Sequence, residues 1–391
     1  MAIRSAWFFG VWLCCSLIMV PVSQAEPVIR VALSQDAVQL RIIADRFLRV
    51  RWSSGRHSTL DSSVMIRWSS EGIAINERIY REAWGQFPSR DSGLTVELVD
   101  TRRDHRLRSW EVSGSVVIHH RERALLVVNH VPLEQYVAGV VAGEIDPTWH
   151  SEALKAQAIA ARTYVLYKAI QESEHAFDVV ASVQDQVYHG RRSINGNVTR
   201  AVAATKGIVI TYEQRPIYAA YSSTAAGLTE DAYYVWELDL PYLKGVDCPF
   251  DEASPRYRWE TAVPIETLEH RLRQAGYRIG IVATVTPFSF TPSGRVDRVR
   301  ILHSEGELIV SGQDLRRAVG YSTIFSTQFT VTRLDRALVL HGKGAGHGVG
   351  LCQWGMKEMA ELGYRHQAIL RYYYPGTQLL PLHRVRLALS D

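Results

Sequence analysis

The segment AGVVAGEIDPTWHSEALKAQAIAARTY, residues 138–164, decides the fold because it joins an apolar run to an alanine-rich helix. The apolar run is typical of a strand or extended chain. Asp146 followed by Pro147 is a common helix start, with the aspartate as the cap and the proline in the first turn. Alanine then recurs at helical spacing, which predicts a helix that packs closely against a neighbour. Glu144 is therefore expected just before the helix begins.

Glu144 has two interpretations. It is either a carboxylate favoured by the positive end of the helix macrodipole, or a general acid/base whose pKa is raised by apolar neighbours. Those neighbours are Val140, Val141 and Ile145. The local sequence leaves both interpretations open.

The first 25 residues resemble a secretory signal. Arg4 precedes an uncharged apolar run, and small residues end the segment at Ala25, where cleavage is expected. An uncleaved anchor is the alternative, which Pro21 disfavours by interrupting a run already short for a membrane span. No second apolar span follows. We therefore expect the mature chain to be secreted or periplasmic, with no membrane span.

The composition is that of a globular protein. The chain has 391 residues, of which 47% are hydrophobic and 21% charged, enough for two domains or one elaborate domain. The net charge of +4 comes without a dense run of Lys or Arg, so no nucleic-acid partner is expected. Cys248 and Cys352 remain after the signal, and they form one disulfide or stay as free buried thiols.

The pattern of elements predicts an α+β fold. Residues 26–114 alternate apolar and polar positions in short runs, which indicates a β-rich N-terminal region. Residues 115–252 and 334–391 are expected to form a mixed core with a substrate groove. Residues 253–333 contain an amphipathic helix, a hairpin and a short helix, which suggests an inserted α/β subdomain.

The motif HGKGAGHGVG at residues 341–350 is rich in glycine. It lacks the spacing and the Lys-Ser/Thr ending of a phosphate-binding loop, so nucleotide binding is not expected. His341 and His347 are possible zinc ligands, with Cys352 as the nearest third donor, but this is the weaker alternative. The favoured interpretation is a tight loop that directs His347 and Gln353 into a cleft.

Several motifs together resemble the stage II sporulation protein D family, also called SpoIID/LytB. They are VPLEQYVAGVVAGEIDPTWHSEALKAQAIAARTY, DQVYHG, YSSTAAG, YLKGVDCPFDEASPRYRW, SGRVDRVRI, SGQDLRRAVG and GKGAGHGVGLCQWGMKEMAELGYRHQAILRYYYPGTQL. They occur in the family's order and span roughly residues 115–380. The resemblance implies a lytic transglycosylase that cuts peptidoglycan glycan strands stripped of their stem peptides.

In this family Glu144 aligns with the catalytic glutamate. The resemblance implies a mechanism with one acid and no carboxylate partner. Some members bind zinc through a Cys/His cluster that this sequence lacks, so no metal and no cofactor are expected. Seven residues are then expected to line the substrate groove by their motif positions: Gln157, Arg162, Tyr188, Ser222, Ser223, His347 and Gln353. Each also has a structural interpretation, such as an ion pair for Arg162, the core for Tyr188 and a braced loop for His347.

Two other functions stay open at this point. Other family members were first described as modifiers of cell-wall amidases, so a non-catalytic module that binds glycan strands and activates an amidase is the main alternative. A metallohydrolase that uses His341 and His347 is the weaker one.

Overall fold

The structure is a computed structural model that describes residues 26–89, 92–99, 106–334 and 336–387. The predicted signal peptide, residues 1–25, lies outside the described residues and stays a prediction. No helix in the described part of the chain is both long and apolar enough to cross a membrane. The described chain contains both helices and strands, and the strands form several separate sheets. This confirms the α+β class.

Twelve strands come first: β1 Val28–Ala37, β2 Gln39–Ile43, β3 Leu48–Trp52, β4 His57–Leu60, β5 Ser63–Ser69, β6 Gly72–Ile75, β7 Arg78–Tyr80, β8 Trp84–Pro88, β9 Leu94–Val99, β10 Arg106–Val112, β11 Ser115–His120 and β12 Leu125–Pro132. The middle of the chain contains α1 Leu133–Glu144, α2 Ser151–Gln171, β13 Val179–Val180, α3 Gly196–Ala204, β14 Ile208–Tyr212, β15 Arg215–Pro216, β16 Tyr221–Ser222, β17 Gly227–Leu228, α4 Tyr233–Trp236 and β18 Asp247–Cys248.

The last third contains β19 Arg258–Pro264, α5 Ile265–Gln274, β20 Val282–Phe290, β21 Val296–His303, β22 Gly306–Ser311, α6 Gly312–Val319, β23 Phe329–Leu334, β24 Ala337–Lys343, β25 Leu351–Cys352, α7 Gln353–Glu361, α8 His366–Tyr373 and β26 Gln378–Pro381, followed by a short 3₁₀ helix at Leu382–Arg384.

The N-terminal strands form two sheets. One has the order β13-β1-β12-β11-β8-β3-β4, and the other the order β10-β9-β2-β5-β6-β7. In β3, buried Leu48, Val50 and Trp52 alternate with exposed Arg49 and Arg51, the two-residue period of a half-buried strand. Because β11 and β12 pair with β8 and β1, strands on both sides of residue 114 share one sheet and one hydrophobic core.

The prediction of an extended run before Glu144 is wrong. Residues Leu133–Glu144 form helix α1, which follows Pro132 and ends where Ile145 turns extended. The buried apolar side chains of α1 recur at spacings of three and one along the chain, which is a helical period: Leu133, Tyr136, Val137, Val140 and Val141. Val140 and Val141 resemble part of a strand only when the buried residues before them in the helix are left out.

The predicted helix start is also wrong. Helix α2 begins at Ser151, with the His150 ring accepting a hydrogen bond from the Glu152 N–H at 3.2 Å. Asp146 instead accepts from the backbone N–H and hydroxyl of Thr148 and closes the turn between the helices. Glu144 therefore lies at the C-terminal end of α1, where the macrodipole opposes a negative charge.

Helix α2 is buried on most of its surface and packs against α1, α3, α7 and α8. Its alanines allow this close approach. Arg162, whose side chain is fully buried, binds both oxygens of Glu134 on α1 at 2.9 and 2.6 Å and the Ile208 carbonyl at 3.1 Å. The pair joins α1 to α2 through a charge that has no access to water.

Residues Trp259 to Leu340 build a second hydrophobic cluster. It contains the predicted amphipathic helix (α5), the hairpin β21–β22 and the short helix α6, with the sheets β19-β24-β23 and β20-β21-β22. Strand β24 follows residue 333 and yet pairs with both β19 and β23, so this sheet extends past the boundary that the sequence suggested.

Arg162→Met should destabilise the protein because it leaves the Glu134 carboxylate without its buried partner. Breaking a buried ion pair costs about 3–5 kcal/mol of unfolding free energy. Denaturant unfolding of the two proteins measures the difference. The matched control is Arg300→Met, which removes an exposed arginine paired with Glu307 and should cost no more than about 1 kcal/mol. Equal losses in the two variants would contradict the structural role of Arg162.

Candidate active site

A cleft of about 550 Å³ lies against the end of α1, and this volume is within the usual range for ligand sites. Glu144, Ser222, Ser223, His347 and Gln353 all line it, so the structure brings five of the eight predicted site residues together. The cleft is also lined by residues that the sequence did not single out: Tyr164, Asp185, Tyr218, Tyr221, Trp236, Gln313, Arg316, Arg317, Tyr321 and Phe325.

Strand pairing between distant segments assembles one wall. Strands β16 and β25 run parallel, with Ser222 opposite Cys352, and this places Gln353 beside the serines. The glycine-rich loop approaches the same strand so closely that a Cβ at Gly346 would lie 2.5 Å from the Ser222 Cβ. Gly346 also has φ +102°, a region that suits glycine. Only glycine therefore fits at this point of the loop.

The Glu144 carboxyl is partly buried and is held from two sides. Its Oε1 accepts a hydrogen bond from the Val187 N–H at 2.6 Å, and its Oε2 accepts one from the Gln353 amide at 3.3 Å. Burial raises the pKa of Glu144 to about 7, against the lowering effect of these donors and of the Tyr221 hydroxyl. Near neutral pH both the protonated and the ionised forms are therefore populated.

A buried chain of hydrogen bonds extends behind Glu144. The Tyr136 hydroxyl donates to the Gln186 carbonyl oxygen at 2.8 Å, and the Gln186 amide donates to the Tyr221 hydroxyl, also at 2.8 Å. The Tyr221 hydroxyl lies next to Glu144 and helps to lower the pKa of its carboxyl. Sequence reasoning missed Tyr221, although it directly precedes the two serines that were chosen.

His347 braces the cleft wall. Its Nδ1 accepts a hydrogen bond from the Val349 N–H at 3.0 Å, and its ring packs against Trp236 with the centroids 4.9 Å apart. Burial, followed by the nearby charge of Arg316, lowers the pKa of His347 to about 3. The imidazole is therefore neutral at physiological pH, with Nδ1 unprotonated and already used as an acceptor.

The structure does not bring Gln157, Arg162 and Tyr188 to the cleft, so their predicted place in the groove is wrong. Gln157 is buried, and its amide atoms have no hydrogen-bond partner in the described chain. Arg162 is the ion-pair partner of Glu134 described above, and the Tyr188 hydroxyl donates to Asn129 at 2.8 Å in the core. Gln157 and Arg162 share a motif with Glu144, and Tyr188 lies in DQVYHG, but all three side chains are buried in the packed interior.

Comparison with known proteins identifies the family. A stage II sporulation protein (SpoIID) profile matches residues 121–212, and a profile for a domain of unknown function matches residues 242–350. The chain is 32% identical to the stage II sporulation protein D of Bacillus subtilis (strain 168), over 64% of this chain and 75% of that protein.

The chain belongs to the stage II sporulation protein D family. Its similarity to an uncharacterized protein of Brachyspira hyodysenteriae is 30% identity over 83% of this chain and 84% of that protein. It is also 30% identical to the amidase enhancer of Bacillus subtilis, over 62% of this chain but 40% of the longer relative.

Within this SpoIID-family cleft, Glu144 is not the only acid, which corrects the expectation of a single carboxylate. Asp185 lines the same cleft. Its Oδ1 accepts from the Tyr164 hydroxyl at 2.8 Å and lies 3.8 Å from the Lys168 ammonium, while its Oδ2 accepts from the Val180 N–H at 2.8 Å. Both oxygens are therefore engaged with donors of the protein itself.

The structure does not bring zinc ligands together at His341. His341 is exposed on β24 and pairs with Glu260 at 3.2 Å, whereas His347 is committed to Val349. No group of three metal donors in the described residues includes either histidine.

A different group of possible donors, missed in the sequence, consists of Cys248, Asp251 and Cys352, whose ligand atoms lie within 4.8 Å of one another. All three side chains already have partners within the protein. The Cys352 thiol contacts Asp251 at 3.2 Å, the Cys248 thiol contacts the Tyr373 hydroxyl at 3.2 Å, and burial raises the pKa of Cys352. Three donors are one fewer than a structural zinc site takes, and the described chain supplies no fourth. The two cysteines are free in this structure.

The raised pKa of Glu144 makes stability depend on pH. The folded protein keeps this proton up to about pH 7, whereas the unfolded chain releases it near 4.5. Unfolding free energy should therefore fall as pH rises between these values, by about 3 kcal/mol. Glu144→Gln has no carboxyl to titrate at this position. The unfolding free energy of Glu144→Gln, relative to that of the unaltered protein, should therefore increase as the pH rises from about 4.5 to about 7.

Thermal and denaturant unfolding at several pH values from 4 to 8 measures the difference between the two proteins. Glu361→Gln is the matched control, because Glu361 is an exposed helix residue paired with Lys357 and should show no such trend. A difference between the Glu144→Gln and unaltered proteins that stays constant across this pH range would show that Glu144 has an ordinary pKa.

Proposed function

We propose that this SpoIID-family protein is a lytic transglycosylase that acts on peptidoglycan glycan strands in the cell envelope. The observation that carries the proposal is Glu144, a carboxyl with a raised pKa held in a cleft by Val187 and Gln353. Family membership supports a cell-wall-related role, and the predicted signal peptide agrees with a secreted or periplasmic location.

The reaction needs one group that first donates and then accepts a proton. Protonated Glu144 gives its proton to the glycosidic oxygen as the bond from C1 of muramic acid breaks. The C6 hydroxyl of the same sugar then attacks C1, and the Glu144 carboxylate accepts the hydroxyl proton. The products are a 1,6-anhydro sugar and a new free 4-hydroxyl, so no water is consumed and Glu144 ends protonated.

The geometry around Glu144 suits both halves of this cycle. Burial favours the protonated form that the first half needs. The Val187 N–H, the Gln353 amide and the Tyr221 hydroxyl stabilise the carboxylate that exists in between. These opposing effects balance near pH 7, so the protonated and the ionised forms of Glu144 are both populated.

Aromatic side chains support a saccharide as the ligand. Trp236 is partly exposed against His347, and Tyr218, Tyr321 and Phe325 line the same cleft. Aromatic faces bury the apolar faces of sugar rings, while Ser223 and Gln313 offer polar atoms along the cleft.

Hydrolysis with Asp185 as a second carboxylate is a competing reaction, since Asp185 lines the same cleft. An inverting glycosidase would use it to activate a water. Both of its oxygens already accept hydrogen bonds, from Tyr164 and Val180, and Lys168 lies nearby, so neither oxygen is held ready for a water. We therefore favour the intramolecular attack.

A non-catalytic role as an activator of a cell-wall amidase is the second candidate, which the similarity to the amidase enhancer supports. It predicts the same cleft and the same glycan binding. It does not account for the raised pKa of Glu144, which a binding module has no need to maintain.

Glu144→Gln should abolish most cleavage, because the amide keeps the size and the hydrogen bonds but has no proton to transfer. The loss should be roughly 10²- to 10⁴-fold, or more if both proton transfers are affected. Folding and glycan binding should survive. The assay is release of soluble fragments from peptide-free glycan strands by purified protein, followed by mass spectrometry.

The unaltered protein should yield fragments that end in a 1,6-anhydro sugar, one water lighter than fragments with a reducing end. Asp185→Asn is the control for the hydrolytic alternative and should leave the anhydro product in place. Reducing ends that disappear in Asp185→Asn would establish hydrolysis instead. No cleavage by the unaltered protein, with glycan binding intact, would favour the amidase activator.

Cleavage should also depend on pH through Glu144. Because the first step needs the protonated acid, kcat/KM should fall about tenfold per pH unit above about 7. A pH profile of initial rates tests this, with circular dichroism at each pH as the control for folding. A rate that rises through pH 7 would mean that Glu144 acts first as a base.

A further inference from the structure

One arginine in the cleft has no opposite charge to pair with. Arg316 on α6 is only 8% exposed; its Nε–H donates to the Ile324 carbonyl at 2.9 Å, and its guanidinium lies 4.6 Å from the centre of the Tyr321 ring. Within the described residues no carboxylate pairs with Arg316, and its terminal N–H groups have no acceptor. Arg316 nevertheless lines the cleft.

The other charged groups that line the cleft have partners or a separate role. Arg317 is largely exposed and pairs with Asp314. Asp185 is engaged by Tyr164, Val180 and Lys168, and Glu144 is the acid. Among the charged residues that line the cleft, Arg316 is therefore the one that no opposite charge in the described chain pairs with.

An unpaired guanidinium that is nearly excluded from water is costly to maintain. The cost is offset when a bound ligand supplies an anion, because the planar fork of N–H groups matches the two oxygens of a carboxylate. Burial already lowers the pKa of Arg316 to about 10, yet this still leaves it charged at neutral pH. The missing partner is thus expected to arrive with the ligand.

The chemistry of the proposed substrate identifies that anion, so this step rests on the proposed function. In a glycan strand free of peptides, the ionised group of each muramic acid is the carboxylate of its lactyl ether. Where a stem peptide is attached, the same carbon is an amide, which has no charge and is followed by a bulky chain.

We propose that Arg316 binds the free lactyl carboxylate of a muramic acid residue and so selects stretches of glycan that carry no stem peptide at that sugar. Arg316 lies close enough to His347 for its charge to lower the pKa of that ring, and His347 stacks on Trp236. The carboxylate site is therefore next to an aromatic surface on which the sugar ring can rest.

The first test changes the ligand and leaves Arg316 in place. Peptide-free glycan strands are prepared, and in half of them the lactyl carboxyls are converted to methylamides. Both are titrated against the full Glu144→Gln protein, which should bind without cutting. Losing a buried, charge-assisted hydrogen-bond pair should weaken binding roughly 10- to 100-fold. Equal affinity for the two strands would overturn the proposal.

The second test combines the ligand change with Arg316→Gln in the same Glu144→Gln background. This variant should bind the carboxylate strand as weakly as the methylamide strand, because the two changes remove one interaction. Arg316→Lys should recover part of the affinity, since it restores the charge but not the fork. Arg300→Gln, at an exposed arginine paired with Glu307, should change neither affinity.

The outcomes separate a binding role from a structural one. If Arg316→Gln weakens binding of both strands equally, Arg316 only supports the cleft and the proposal is wrong. If Arg316→Gln does not fold, the comparison of the two strands with Arg316 present still decides. Carboxylate-dependent binding without any cleavage by the unaltered protein would refute the transglycosylase and leave the Arg316 site standing.

Discussion

The close packing of helices around α2 fixes the position of the residues that line the cleft. Alanine side chains let α1, α7 and α8 approach this helix, and the buried pair between Arg162 and Glu134 sets how α1 lies against it. The end of α1 carries Glu144, and the start of α7 carries Gln353. The 3.3 Å contact between these two side chains, 209 residues apart in sequence, therefore depends on a helix that contributes only Tyr164 to the cleft lining.

Residues with regular periodicity were predictable from the sequence. The strands of residues 26–114, the helix α5 and the hairpin β21–β22 each show a period that one segment contains by itself. Helix α1 failed because its apolar residues come in adjacent pairs, and a window that starts at Ala138 shows only one pair. A longer window that includes Leu133 and Tyr136 reveals the helical period.

The cleft was predictable in part, and the errors have one cause. Glu144, His347 and Gln353 were found because each lies in a long, specific motif. Arg162 lies in the same motif as Glu144, and Tyr188 lies in DQVYHG, but a linear motif does not say which side of an element faces the core. Asp185 and Arg316 were missed although they lie in the quoted motifs DQVYHG and SGQDLRRAVG, since a linear motif does not show that the fold brings these charged residues to the cleft.

Burial has opposite consequences at Glu144 and at Arg316. At Glu144 it favours the neutral form of an acid, and at the C-terminal end of α1 the macrodipole adds to that preference. At Arg316 it leaves a guanidinium charged, because even a lowered pKa of about 10 is far above neutrality. One cleft thus holds a group that can exchange a proton and a group that cannot. The first suits bond cleavage, which needs the charge to change, and the second suits recognition of an anion, which needs the charge to stay.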